Sequence, residues 1–158
     1  MERISWESFF MEQAVVFSQR ATCNRLKVGC VITKDNLILS EGYNGSISGQ
    51  PHCTDVGCLK NDLGRCIRTV HAEQNAIINA MKKGVSIEGG TAYVTAEPCE
   101  ACFKLLLQSG VTTIVFLKPY RSDYAMQLMD GMNHITLREY TGSDKQSLLE
   151  RIDSINAH

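Results

Sequence analysis

The order of strand and helix patterns along the chain narrows its fold more than any other feature. Val28-Gly-Cys-Val-Ile-Thr33 and Leu37-Ile-Leu-Ser-Glu41 read as two strands, with Lys34-Asp35-Asn36 as their hairpin turn. Thr91-Ala-Tyr-Val-Thr95, Val111-Thr-Thr-Ile-Val-Phe-Leu117 and a short run at Ile135-Thr-Leu137 supply three more. The Val111 run is the most apolar and is expected at the sheet centre. Helical spacing lies between and around them. Trp6, Phe9, Phe10, Gln13, Val16 and Phe17 predict a helix over about 5–20. Ala72, Ala76, Ile77, Ala80 and Met81 form a second stripe, closed by Lys82-Lys83 and by Gly84 as a left-handed cap. Pro98 is expected to open a third helix, finished by Leu105, Leu106 and Gly110. A fourth is expected from Ser122 to Met129. Ser143 and Gln146 form a capping-box pattern for a last helix bearing Leu148, Leu149, Ile152 and Ile155. A leading hairpin followed by alternating helices and strands predicts a mixed five-stranded sheet covered on both faces, a three-layer α/β/α sandwich. With no repeat or Pro/Ser-rich linker, the 158 residues are expected to form a single domain, 1–158.

Residues 42–68 break the pattern. They hold five glycines and three cysteines with little periodicity, so a long loop is expected there, of the kind that is functional or metal-stapled. The chain has seven cysteines in all. Its start, Met1-Glu-Arg-Ile-Ser-Trp6, lacks an apolar signal stretch, so a reducing cytoplasm is expected, where cysteines serve metals or catalysis more often than disulfides. No apolar run approaches the roughly 20 residues of a membrane span. Sixteen basic against 17 acidic residues give a net charge of −1, which speaks against a dedicated nucleic-acid surface.

The chemistry concentrates in two motifs at helix starts: His71-Ala72-Glu73 and Pro98-Cys99-Glu100-Ala101-Cys102. Cys99 and Cys102 are i,i+3, so their sulfurs can converge on one face of a first turn, where the helix N-terminus also favours thiolates. With His71 they make three ligands suited to zinc. Three protein ligands leave a fourth position open, which distinguishes a catalytic zinc from a closed structural one. Glu73, two residues from the histidine, can move protons without joining the metal. A lone C-x-x-C can be a redox pair or half of a zinc ribbon. The combined His-x-Glu and Pro-Cys-x-x-Cys pattern is the signature of zinc-dependent nucleobase deaminases.

Further segments carry a resemblance. With Thr22-Cys-Asn-Arg-Leu-Lys-Val-Gly29, Gly42-Tyr-Asn-Gly-Ser46, His52-Cys53, Arg68-Thr-Val-His-Ala-Glu73 and Tyr93-Val-Thr95, the chain resembles the deoxycytidylate (dCMP) deaminases of the cytidine deaminase-like superfamily over about residues 5–140. The resemblance implies hydrolysis of dCMP to dUMP and ammonia for dTTP synthesis. It also implies a homohexamer activated by dCTP with Mg²⁺ and inhibited by dTTP. Ala72 and Asn44 are implied at the substrate, with Asn44 at the sugar-phosphate; the alternative for Asn44 is a turn residue with positive φ. Arg25 and Lys27 can supply charge for the phosphate, and Tyr120 and Arg121 follow the expected central strand; a solvated surface role is the alternative for either arginine. The turn at Gly42, Tyr43 and Gly45 is implied in effector binding. Cys23, Cys53, Cys58 and Cys66 are candidates for a second, structural zinc of the kind such families carry, with His52 as a competing ligand and reduced thiols as the alternative. Cys30, in an apolar strand, reads as a small buried hydrophobe. The same zinc chemistry serves deaminases of free nucleosides and nucleic acids, and a non-catalytic zinc-stabilised binding module is the remaining alternative.

Overall fold

A computed structural model describes residues 1–120 and 123–157. Ser5 caps the first helix, its Oγ accepting from the Ser8 N–H at 3.1 Å, and α1 runs Trp6–Ser18. β1 (Gly29–Lys34) and β2 (Leu37–Tyr43) form an antiparallel hairpin. Asp35 and Asn36 turn it with φ of 53° and 61°, the pair of left-handed residues that a two-residue turn needs to match strand twist. Next come β3 (Gly45–Ser46), α2 (Cys53–Val56), β4 (Thr69–Val70) and α3 (Ala72–Lys83), which ends at Gly84 with φ 67°. β5 (Thr91–Ala96), α4 (Glu100–Gln108), β6 (Thr113–Lys118), α5 (Asp123–Leu128), β7 (Thr136–Glu139) and α6 (Lys145–Asn156) complete the order.

The main sheet runs β2-β1-β5-β6-β7, antiparallel across its first three strands and parallel across its last three. Alternation divides its side chains between two cores. Cys30, Ile32, Ala92, Val94 and Ile114 meet Ala72, Ala76 and Ala80 of α3 and Phe103 and Leu106 of α4. Val31, Tyr93, Val115 and Leu117 point the other way, against Phe10, Met11, Ala14 and Val15 of α1 and Leu148 and Ile152 of α6. Each buried aliphatic side chain contributes about 1.5–3 kcal/mol, so both layers are held by the sheet they share. Gly29 and Gly42 permit close approach: a Cβ at Gly29 would overlap the backbone of Ala14, and one at Gly42 that of Ala72 and Ala76. No described helix is long and apolar enough to cross a membrane.

Five expectations need correction. The central strand is β5, with β6 beside it. Both are buried on both faces, so apolarity marks them as interior without ordering them. Pro98 precedes the helix cap: Cys99, with extended φ −68° and ψ 167°, caps α4, and its carbonyl accepts from Phe103. The Ser143–Gln146 box does not form. Asp144 is the N-cap of α6, its carboxylate accepts from Ser8 and Tyr140, and Gln146 turns instead to Glu150 at 3.2 Å. Met81 is 71% exposed, outside the buried stripe. Residues 42–68 also carry more order than a plain loop, because β3 pairs with β4 and Lys60 bridges Cys66. The expected helix start at Ser122 lies outside the described residues, as does Arg121.

Candidate active site and metal centre

His71 is the N-cap of α3. Its N–H donates to Gln74 Oε1 at 2.9 Å and its carbonyl accepts from Asn75 N–H, which leaves the imidazole outside the helix. Cys99 and Cys102 occupy the cap and first turn of α4, which packs beside α3. The two helix starts thereby meet. His71 Nδ1 lies 3.3 Å from Cys102 Sγ and 3.6 Å from Cys99 Sγ. A tetrahedral zinc would separate a nitrogen from a sulfur ligand by about 3.5 Å, given ordinary Zn–N and Zn–S lengths. The donor set and its spacing fit zinc.

Without a metal, protons are shared unevenly among these groups. Hydrogen bonds from Cys102 and His71 hold the Cys99 thiol down at about 3, against the effect of burial. Cys102 is pushed up, by its bond to Cys99 and then by burial, and His71 is raised by its bond to Cys99. Glu73, 4% exposed, is raised by desolvation, which the Cys102 hydrogen bond and His71 partly oppose. A carboxyl displaced upward in this way suits a group that must both take and give a proton.

A cavity of about 1080 Å³ opens on His71, Glu73 and Cys99 and is also lined by Arg25, Asn44, Ala72 and Tyr120. Gly42, Tyr43 and Gly45 are not among the described residues lining it. Gly42 lies buried under α3 instead. Asn44 is 7% exposed, and its amide is bonded on both sides: Oδ1 accepts from Val28 N–H at 2.8 Å and Nδ2 donates to Leu26 C=O at 2.7 Å. Only Asp35 and Asn36 have positive φ among the described non-glycine residues, so Asn44 is not a left-handed turn residue. Lys27 points its backbone N–H to Asn156 at 2.8 Å and is absent from the described lining. Tyr120 is held through its N–H to Glu97 Oε2 at 2.7 Å.

Sequence reasoning did not single out Arg65, Lys104 or Tyr124, all on the cavity wall. Tyr124 donates to the Pro98 carbonyl and packs edge-on against Phe103, bracing the turn that presents Cys99. None of the three sits in a motif.

Cys53, Cys58 and Cys66 form a second group whose sulfurs lie within 4.8 Å of one another, with Cys53 and Cys66 at 3.6 Å. Two sulfurs on one tetrahedral zinc sit about 3.8 Å apart, so this trio also fits. Cys23 stands outside it, its sulfur accepting from Arg25 N–H at 3.4 Å. Burial and the neighbouring thiols push Cys53 up to about 12. Burial also acts to raise Cys66, but the Arg68 and Leu59 amides and the neighbouring thiols bring it down to about 7. His52 Nδ1 is buried with no partner among the described residues. Cys30 is fully buried, as expected of a core residue, and desolvation raises its thiol.

The chain is similar to known proteins along most of its length. ComE operon protein 2 of Bacillus subtilis is 45% identical over 131 residues, covering 82% of this chain and 69% of that protein. Deoxycytidylate deaminase of Saccharomyces cerevisiae is 30% identical over 153 residues, covering 93% of this chain; the chain spans about half, 48%, of the yeast protein. Among solved structures, the dCMP deaminase of cyanophage S-TIM5 in complex with dCMP and dUMP superimposes with a TM-score of 0.74 at 28% identity, covering 89% of this chain and all of that one. A family model described as the cytidine and deoxycytidylate deaminase zinc-binding region matches residues 4–118, a span that holds both ligand groups. The chain therefore belongs to the cytidine and deoxycytidylate deaminase family.

Proposed function

We propose that this chain, as a single domain over residues 1–158, hydrolyses dCMP to dUMP and ammonia, a step toward dTTP. The observation that carries the reading is the buried Glu73 carboxyl lining the same cavity as His71 and Cys99, with Cys102 Sγ 3.3 Å from His71 Nδ1 behind them. Zinc held by those three ligands would polarise the attacking water as a Lewis acid. Glu73 takes one proton from the attacking water and delivers it to N3 of the cytosine. It then takes the remaining proton of that oxygen and carries it to the amine, which departs as ammonia as the C4 carbonyl forms. Its burial keeps bulk water from exchanging that proton. Ala72 and Asn44 shape the wall against the nucleoside, and Arg25 and Tyr120 stand on the same wall. Relatives and a structural neighbour named for dCMP support the substrate.

The reading includes a structural zinc on Cys53, Cys58 and Cys66 with Cys23 or His52 as its fourth ligand. It also includes a cytoplasmic homohexamer activated by dCTP with Mg²⁺ and inhibited by dTTP, with the turn at Gly42, Tyr43 and Gly45 serving the effector. Steady-state kinetics on dCMP, deoxycytidine and a single-stranded oligonucleotide test the substrate, and a clear preference for either of the last two overturns it. A sigmoid dCMP curve made hyperbolic by dCTP and Mg²⁺ is expected; a hyperbolic curve indifferent to both removes the regulation.

A further inference from the structure

α6 belongs to the layer on the far face of the sheet from the metal centre. Its Leu148 and Ile152 share a core with α1, whereas Ala72 of α3 and Phe103 of α4 lie in the other core. It also lies beyond residues 4–118, the span that the family model matches. Two ion pairs fasten it there, Lys118 with Asp153 at 2.9 Å and Arg151 with Glu12 at 3.1 Å. Its last residue nevertheless reaches the cavity wall. Asn156 Nδ2 donates to the Ile152 carbonyl at 3.0 Å, which fixes the amide, and Oδ1 accepts from Lys27 N–H at 2.8 Å. Lys27 sits in the segment that brings Arg25, Leu26 and Val28 to the cavity. No helix or strand includes residues 25–28 up to the start of β1, so their backbone groups need partners from elsewhere. Two asparagines supply them. Asn44 donates to the Leu26 carbonyl at 2.7 Å and accepts from Val28 N–H at 2.8 Å, and Asn156 takes the N–H between them. The Leu26 carbonyl and Lys27 N–H belong to one trans peptide and point in opposite directions. Asn44, which lines the cavity, and Asn156, which is not among the described lining residues, therefore grip that peptide from opposite sides.

From this placement we infer that Asn156 is a positioning residue for the reaction: from behind the cavity wall it fixes the Leu26–Lys27 peptide, and with it the surface that meets the nucleotide. The inference rests on the dCMP reading above. Without the Asn156 acceptor the segment is held by Asn44 alone, so the incoming ligand must order the wall as it binds, and affinity falls by that ordering cost. Glu73 and the metal ligands stand on α3 and α4, away from the tether, so the loss falls on binding and spares turnover. The last helix thereby takes part in substrate binding without touching the substrate.

The test uses the full-length zinc-loaded protein with Asn156→Ala, Asn156→Asp and Asp153→Ala. Asn156→Ala should speed hydrogen exchange of the Lys27 amide about 2- to 10-fold, the range of one lost hydrogen bond. It should raise KM for dCMP by a similar factor and leave kcat nearly unchanged. Asn156→Asp keeps an acceptor oxygen for Lys27 but loses the donor to Ile152 and puts a negative charge in the last turn of α6, where the helix dipole disfavours it. That variant should lower Tm while KM stays near the wild-type value. Asp153→Ala breaks the pair with Lys118 and leaves the tether in place, so its KM should not move. A KM that follows Tm across the three variants, and not the presence of the acceptor, overturns the inference. Unaltered exchange in Asn156→Ala, or a fall in kcat alone, overturns it as well. Should the wild-type enzyme not turn over dCMP, the function proposed above fails. Exchange of the Lys27 amide then still decides the tether, with equal rates in wild type and Asn156→Ala refuting it.

Discussion

His71 Nδ1 and Cys102 Sγ stand 3.3 Å apart although 31 positions separate them in sequence. Their meeting is the joint of the fold. α3 precedes β5 and α4 follows it, both on the same face of the sheet, and each presents its ligands from a cap or first turn, where backbone donors are unspent. Replacing His71 or Cys102 by Ala should therefore remove one bound metal from the purified protein while the Cys53, Cys58 and Cys66 site keeps its own. Atomic absorption on the variants reads this directly, and a chain that keeps its full metal content without His71 contradicts the assignment.

Glu73 should behave differently from the ligands around it. Its carboxyl touches the site without belonging to the ligand trio, so Glu73→Gln should leave metal content intact and lower kcat on dCMP by about 10²- to 10⁴-fold, the usual range for a lost acid–base group. Metal analysis and turnover on one preparation separate the cases. Loss of metal along with activity would make Glu73 a support of the metal site instead.

Much of this site was legible because its chemistry is local. Cys99 and Cys102 are one turn apart, and His71 and Glu73 are neighbours at a single cap, so residue type and spacing carried the reading. Pro98 was misplaced by a short step because a proline just before a cap and one just inside it look alike in sequence: neither position needs a donor. The order of β5 and β6 was illegible for another reason, since burial on both faces gives both strands the same composition. Arg65 was missed because its position depends on Asn61 and on the distant contact of Cys66 with Cys53, and no periodicity marks it.

Gly42 and Gly84 separate two reasons for a glycine. At Gly42 a methyl group would enter the backbone of α3 at Ala72 and Ala76, next to the cap that bears His71. Overpacking of this kind costs about 1–3 kcal/mol, and here it also displaces the helix start. Gly84 has φ 67° and open space around it, so a side chain there adds only backbone strain of about 1 kcal/mol. Gly42→Ala should thus lower both Tm and kcat/KM, while Gly84→Ala lowers Tm modestly and leaves kinetics alone. Equal effects of the two on kcat/KM would refute the close-approach argument.

Asp144 joins three elements: its carboxylate accepts from Ser8 on α1 and from Tyr140 after β7, at the cap of α6. Burial alone would raise its carboxyl, but these two hydrogen bonds hold it below the usual carboxylate range. A carboxyl whose pKa is lower folded than unfolded stabilises the protein fully above the unfolded value of about 3.9, and that contribution fades as pH falls through the folded value. Asp144→Asn keeps the shape and removes the charge. It should cost about 1–3 kcal/mol at pH 7, the scale of hydrogen bonds to a charged group. The deficit should begin to shrink below about pH 4, where the carboxyl of the unfolded chain takes up a proton while the folded one still resists it, and should keep shrinking as pH falls through the folded value. Urea unfolding of both proteins from pH 7 to pH 3 measures the gap. A gap that stays constant over that range would show that shape, and not charge, holds α6 against α1.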